Sequence, residues 1–186
     1  MSNKKSTHSR EGILQATLEL IARQGKEQYS VRNVARQLGA STQPIYSYFK
    51  DSTELYKSAL LAIEQRLLAQ IVHPYTEYPF RNMGYGFTLF AKENPRLFEA
   101  FFSDIEMNRR FINKFLVKLR AILDTDPRFR EMSSPKKDSL LNTMWTFSYG
   151  YAFLIIRGLV PDDSDEAIKA MVLETGTAVI QYHFQS

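Results

Sequence analysis

The sequence has 186 residues, of which 44% are hydrophobic and 24% charged, a composition typical of globular proteins and unlike that of disordered or fibrous chains. It contains no cysteine, which excludes disulfides, thiol nucleophiles, iron–sulfur clusters and cysteine-ligated zinc. The three histidines, His8, His73 and His183, are far apart in sequence and form no metal-binding pair. We therefore expect no metal and no other cofactor.

Positive charge is concentrated in the first quarter of the chain. Residues 1–50 carry eight Lys or Arg against three acidic residues, whereas the remainder carries 16 basic and 17 acidic residues. A polyanionic partner is therefore expected to bind the N-terminal region. The longest apolar run of the C-terminal half, Tyr149 to Ile156, is far shorter than the roughly 20 residues that span a bilayer. Glu11 and Glu19 interrupt the only stretch that resembles a signal peptide, so we expect a cytoplasmic protein without a membrane partner.

Three short helices are predicted near the N-terminus. Apolar residues at helical spacing predict a first helix over residues 10–23, with Gly25 as its C-terminal cap. Ser30 is a good N-cap for a second short helix that ends at Gly39. After a brief turn, a third helix is predicted over residues 42–49, with one apolar edge and an otherwise polar surface.

A longer helix and five further helices follow. Asp51 and Glu54 form a relative of the capping box and open a helical pattern that runs to about Ile71, roughly 30 Å at 1.5 Å per residue. Clusters of Pro, Asp and Ser separate the later helical segments, which cover about residues 80–93, 95–102, 105–123, 135–159 and 165–183. No segment shows the alternation of a half-buried strand. The predicted fold class is all-α.

Residues 31–49 have the layout of a helix-turn-helix motif. Val34, Leu38 and Ile45 provide the apolar contacts where its two helices meet the first helix. A recognition helix also needs small or polar residues on its outer face, so that it can enter a major groove about 12 Å wide. In this sequence that face is formed by Thr42, Gln43, Ser47 and Tyr48.

Several short motifs in this region together carry a family resemblance. They are Ile13-Leu14-Gln15-Ala16, Gly25, Ser30-Val31-Arg32-Asn33-Val34-Ala35, Leu38-Gly39-Ala40-Ser41 and Gln43-Pro44-Ile45-Tyr46-Ser47-Tyr48-Phe49. Over residues 10–56 the sequence resembles the TetR family of one-component transcriptional regulators. The family usually has a lysine early in helix four, where this chain has Ser52, with Lys50 close by.

The resemblance implies that the second and third helices bind double-stranded DNA as one unit. Four residues would contact phosphates and fix the register, namely Ser30, Tyr46, Tyr48 and Lys50. Five would face base edges, namely Arg32, Thr42, Gln43, Pro44 and Ser47. From the residues alone, either tyrosine could instead pack on the first or fourth helix, and Arg32 could be an ordinary solvated residue.

The C-terminal region is rich in aromatic residues, because residues 75–153 hold 17 of the 24 in the chain. Core packing explains most of them, yet a helical bundle with so many large flat side chains leaves room for an apolar cavity. In the family that the sequence resembles, this region binds a small-molecule effector. We expect an apolar or aromatic effector of unknown identity, bound by residues such as Phe87, Phe98, Phe101, Phe102, Phe115, Trp145 and Tyr149.

The last two predicted helices are apolar over wide faces that one thin bundle does not cover. The resemblance implies that they pair with their counterparts in a second subunit, and small residues such as Gly150, Ala152, Ala170 and Gly176 would permit close approach. A homodimer would place two recognition helices about one DNA turn, or 34 Å, apart on an inverted-repeat operator.

The expected organisation is therefore a helix-turn-helix DNA-binding domain over residues 1–52 and a helical ligand-binding and dimerisation domain over residues 53–186. Residues 1–9 are polar, lack periodicity and are expected to form a mobile arm. The implied function is a ligand-responsive homodimeric transcriptional regulator, with repression as the commoner mode in the family.

Two alternatives remain open from the sequence. One is a helical small-molecule-binding protein or enzyme without a role in DNA binding, with Glu99, Asp104 or Glu106 as an acid among the aromatic residues. No nucleophile–base pair, metal-ligand spacing or phosphate loop supports catalysis, so we do not expect an enzyme. The other is an interaction module whose helix-turn-helix does not contact DNA. A motif that no longer binds DNA would be free to accumulate acidic residues, and none occurs between Val31 and Lys50.

Overall fold

The computed structural model describes residues 9–103 and 105–185, except the side chains of residues 105–111 and 185. Within these ranges the secondary structure is helical and contains no strand, which confirms the all-α prediction. The helices are α1 (Arg10–Gln24), α2 (Val31–Gln37), α3 (Gln43–Tyr46), α4 (Ser52–Val72), α5 (Pro79–Glu93), α6 (Pro95–Phe102), α7 (Ile105–Leu123), α8 (Ser134–Ile156) and α9 (Asp165–Gln185). Most of the expected N-terminal arm, with Lys4 and Lys5, lies outside the described residues.

The described residues divide into two compact units. Residues up to Gln65, together with 94–103, form unit 1, and Arg66–Glu93 with the residues from Ile105 onward form unit 2. These units do not coincide with the boundary expected after residue 52, because α4 is one continuous helix shared by both and α6 packs on α1. A functional boundary at residue 52 stays a prediction.

Unit 1 has its own apolar core under the first helices. Ile13 and Leu20 of α1 pack with Val34, Ile45 and Phe49, all of them buried. The α1 helix begins where the Ser9 hydroxyl accepts a hydrogen bond from the backbone of Gly12. It ends at Gly25, whose φ of +85° suits glycine and whose N–H donates to the Ile21 carbonyl.

Unit 2 is organised around α5, which packs on α8 and α9. Every residue from Asn82 to Ala91 is buried, so this helix is enclosed on all sides. Two glycines permit that enclosure. A Cβ built on Gly84 would lie 2.8 Å from a methyl of Val172, and one built on Gly86 would lie 2.2 Å from the carbonyl oxygen of Gln70.

A buried carboxylate secures the start of α5. Asp126 accepts hydrogen bonds from the Phe80 backbone N–H (3.2 Å) and from the Arg128 guanidinium (2.9 and 2.6 Å). Burial by itself raises the pKa of Asp126, but the bonds from Arg128 and Phe80 outweigh it and hold the pKa below its ordinary value. Farther along unit 2, Lys92 of α5 forms an ion pair with Asp165 of α9 (2.7 Å).

No helix within the described part of the chain combines the length and apolarity needed to cross a membrane.

Candidate nucleic-acid interface

The motif α2–turn–α3 is held rigidly by local hydrogen bonds and by its apolar side. The Ser30 hydroxyl accepts from the Asn33 backbone N–H (3.1 Å), as expected of an N-cap. Gly39 adopts φ +64° in the turn, and the next amide, of Ala40, donates to the Ala35 carbonyl (3.0 Å). On the inner side Ile45 is buried in the core of unit 1. The outer side is therefore presented on a fixed scaffold.

The outer side of the motif is polar and aromatic. Arg32, Gln43, Ser47 and Lys50 are exposed, and Thr42 and Pro44 are half-buried. Tyr46 is 53% exposed and Tyr48 47%, so about half of the surface of each residue remains open to solvent. Two neighbouring tyrosines left in solvent are available to a partner, since their rings offer contact area and their hydroxyls can hydrogen-bond.

Two of the predicted contact residues already make internal hydrogen bonds. The Ser47 hydroxyl donates to the Gln43 carbonyl (3.2 Å), which leaves its oxygen able to accept from a base or water. The Ser30 hydroxyl only accepts in its cap, so its O–H remains able to donate to a phosphate. At Lys50, the backbone N–H donates to the Glu54 carboxylate (2.7 Å), and the side chain is exposed.

Sequence reasoning missed the contact that orients the start of α4. The Tyr29 hydroxyl donates to the Ser52 backbone carbonyl (2.6 Å) and accepts from the Ser52 hydroxyl (3.3 Å), and its ring lies 5.0 Å from that of Tyr56. Burial raises the pKa of Tyr29. Ser52, which stands where the family usually has a lysine, thus makes a structural contact with Tyr29.

Arg10 at the start of α1, one of the cations expected to neutralise phosphates, lies beside the motif. Its guanidinium lies 4.9 Å from the centre of the Phe49 ring and donates weakly to the Ser58 hydroxyl (3.4 Å). The side chain therefore adds a positive charge at the end of the helix-turn-helix while its position is held by the protein.

Unit 2 contains a small apolar cavity of about 30 Å³, room for about two water molecules. Its lining is Ile71, Phe80, Met83, Gly84, Phe87, Leu119, Leu141, Met144, Trp145 and Ser148. Two of the predicted effector residues, Phe87 and Trp145, line it, with their rings 5.3 Å apart. Phe115 and Tyr149 contact Trp145 from outside the lining.

The other three predicted effector residues are elsewhere. Phe98, Phe101 and Phe102 lie on α6 in unit 1 and are not part of this lining. Aromatic richness alone pointed to them, but half of the lining residues are aliphatic or sulfur-containing. A periodic pattern of Leu and Met does not separate a cavity wall from ordinary core.

The exposed faces of α8 and α9 carry large apolar residues. Phe153 of α8 is 48% exposed and Met171 of α9 45%. Tyr182 is exposed as well, and Gly150 has open space above it. Of the other small residues considered for close approach, Ala170 is exposed, whereas Ala152 and Gly176 are buried within the subunit.

Residues 13–59 match the family model described as bacterial regulatory proteins, tetR family. The chain carries the N-terminal domain of the TetR family. Its structural neighbours are named as regulators, and at 16% and 18% identity they show that the chain shares their fold. Of the acids considered for catalysis, Glu99 is half-buried, and Asp104 and the side chain of Glu106 lie outside the described residues.

Solved structures that share this fold match nearly the whole length of the chain. A TetR family regulator from Marinobacter aquaeolei VT8 has a TM-score of 0.69 and 16% identity, over 96% of this chain and 98% of that one. A regulator from Rhodococcus sp. Rha1 has a TM-score of 0.73 and 18% identity, over 92% and 95%. The fatty acid degradation regulator FadR from Bacillus halodurans has a TM-score of 0.66 and 15% identity, over 96% of both chains. No curated protein sequence matches the chain.

Proposed function

We propose that this TetR-family regulator is a repressor that binds an inverted-repeat operator as a homodimer and leaves it when a small apolar or aromatic effector binds. The observation that carries the proposal is the outer side of α2–turn–α3. It is rigidly held, free of acidic residues and exposes two tyrosines beside Gln43 and Lys50. A surface of this kind suits the edge of a DNA duplex, which combines negative phosphates with hydrogen-bonding bases.

The residues divide into two roles by their chemistry. Arg32 and Gln43 carry the longest donors, and in the major groove an Arg can bind guanine O6 and N7 while a Gln can bind adenine N6 and N7. Thr42 and Ser47 would bond to base edges, and Pro44 offers an apolar contact to a thymine methyl. Phosphate contacts fall to Ser30, Tyr46, Tyr48 and Lys50, whose hydroxyls and ammonium need no particular base.

The homodimer is supported by the exposed apolar residues of α8 and α9. Phe153, Met171 and Tyr182 are about half to two-thirds exposed, and covering such apolar side chains in an interface would stabilise a dimer. A twofold dimer would present two recognition surfaces to a palindromic site. A cytoplasmic location follows from the proposal that the partner is DNA.

The DNA experiment is selection of bound sequences from random duplexes by the full chain. We expect an enriched inverted repeat, with an affinity that falls with salt at a slope of about −5 to −9 if a dimer neutralises about 6 to 10 phosphates. Gln43→Ala should lose the enriched sequence, whereas Gln65→Ala, an exposed glutamine of α4, should keep it. Selection that enriches no sequence, or binding that does not change with salt, would refute the DNA proposal.

The dimer is tested separately by sedimentation. Phe153→Glu should shift the chain toward monomer, and Val117→Glu, at an exposed position of α7, should not. A wild-type chain that stays monomeric at micromolar concentration would contradict the homodimer.

A further inference from the structure

Three aromatic side chains of the cavity wall in unit 2 are held in place by contacts with other rings. The Phe87 and Trp145 rings meet at 5.3 Å, and Phe80 meets Phe129 at 5.4 Å. Such ring pairs fix the orientation of both partners. The two methionines of the lining, Met83 and Met144, are different, because a thioether chain has three rotatable bonds and no branching.

Met144 lies where two neighbouring helices carry no side chain. A Cβ built on Gly84 of α5 would lie 3.7 Å from the Met144 terminal methyl, and one built on Gly176 of α9 would lie 3.8 Å from it. The methyl therefore rests against two bare helix backbones, although the residue is buried. The two glycines leave space on their side of the Met144 methyl, and a methyl of Val172 on α9 lies 2.8 Å from the Cβ built on Gly84.

The size of the cavity makes this freedom necessary. Its volume is about 30 Å³, whereas apolar protein cavities that bind benzene are on the order of 150 Å³. A ring can enter only if a lining side chain withdraws. We propose that Met144 is the plug of this site, occupying in the free protein part of the space that the ring of an effector takes. This inference rests on the proposed function, since it concerns the effector site named there.

The lining also restricts the chemistry of the ligand. It contains no charged residue, and its polar hydrogens are the Ser148 hydroxyl and the Trp145 indole N–H. An ion buried without a partner is strongly disfavoured. The site therefore takes a neutral aromatic molecule with at most one hydroxyl or ring N–H, and it excludes carboxylates of the same shape.

The test is direct binding to the full chain, without DNA, measured by calorimetry. The probes are indole, benzyl alcohol and benzoate, of which the last two share a ring and differ in charge. Met144→Ala enlarges the site and should raise the affinity for indole at least tenfold. Met144→Leu keeps the volume but adds branching, and it should lower the affinity at least fivefold. Met132→Ala, at a half-buried methionine outside the cavity lining, is the matched control and should leave the affinity for indole unchanged.

The outcomes separate the inference from its alternatives. If Met144→Leu binds indole with the wild-type affinity, the proposal that Met144 is the plug is wrong, and this result is decisive even if Met144→Ala fails to fold. A folded Met144→Ala that binds indole with the wild-type affinity refutes it as well. Benzoate binding as tightly as benzyl alcohol overturns the neutral ligand class. Indole that binds as expected but leaves operator affinity unaltered would contradict effector release and support the plug.

Discussion

The close approach of α4 to α5 at Gly86 provides a quantitative test of how unit 2 is packed. In Gly86→Ala the new methyl would lie 2.2 Å from the Gln70 carbonyl oxygen, 2.6 Å from its carbonyl carbon and 2.9 Å from the Ile71 Cα. Ordinary contacts at such a methyl begin at 3.4 Å. The end of α4 must therefore move away from α5 by more than about 1 Å, because the obstructing atoms are backbone and cannot rotate aside.

Two opposing terms set the size of the effect. Alanine is better than glycine inside a helix by about 1 kcal/mol. Overpacking a well-filled interior costs about 1–3 kcal/mol, and a backbone obstruction belongs at the upper end of that range. We expect Gly86→Ala to lower the free energy of unfolding by about 1–2 kcal/mol. Gly150→Ala is the matched control, because nothing lies within 4 Å of its Cβ position in α8, and it should raise that free energy by up to about 1 kcal/mol.

The assay is urea unfolding of both variants and the wild type at one fixed, low protein concentration, followed by far-ultraviolet circular dichroism. A fixed concentration is needed because association of subunits would itself add to the apparent stability. If Gly86→Ala proves as stable as the wild type, α4 and α5 do not meet at this residue and the described packing of unit 2 is wrong.

Three further predictions follow from single contacts. Tyr29→Phe removes the bond to the Ser52 carbonyl and should cost about 1 kcal/mol in urea unfolding; no loss would mean that the contact does not form in solution. Arg32→Ala should lower the binding free energy by about 1–3 kcal/mol per half-site on operator DNA only, whereas Lys50→Ala should weaken binding to operator and to random DNA equally. If the two variants lose the same affinity on both DNAs in a binding titration, these roles are wrong. Because the fold lowers the pKa of Asp126, its stabilisation is full above about pH 4 and is lost as pH falls below that value. Asp126→Asn should flatten that part of the pH dependence of unfolding.

Helix boundaries were the part of the fold that could be predicted best, because they depend on local chemistry. Ser30 caps α2 as expected, and Gly25 ends α1 with a positive φ. The predicted α6 agrees at both ends with the observed Pro95–Phe102, since Pro suits a first turn and cannot occur inside a helix. Two short 3₁₀ turns, Lys26–Gln28 and Pro127–Phe129, were not predicted, because single turns carry no periodicity.

The candidate sites were harder to predict than the helix boundaries, because they depend on contacts between residues that are far apart in sequence. The pattern of residues 42–49 predicted an outer face of Thr42, Gln43, Ser47 and Tyr48, and the last three of these are exposed while Thr42 is half-buried. The Tyr29–Ser52 contact joins residues 23 positions apart, and no local pattern specifies it. Likewise, only the packing of α5 and α8 decides that Met144 lines the cavity while Phe98, equally apolar, does not.

These contacts give α4 a part in both candidate sites. Its first turn is hydrogen-bonded to Tyr29 beside the N-cap of α2, and near its other end Ile71 lines the apolar cavity and lies against Gly86. We predict that a ligand that displaces Ile71 changes the affinity of the DNA-binding motif for its operator, because α4 contains both Ile71 and the Ser52 contact. Any resulting coupling has to be reciprocal, since binding free energies are linked. Operator DNA would therefore weaken binding of a neutral aromatic ligand by the same factor by which that ligand weakens binding of the operator.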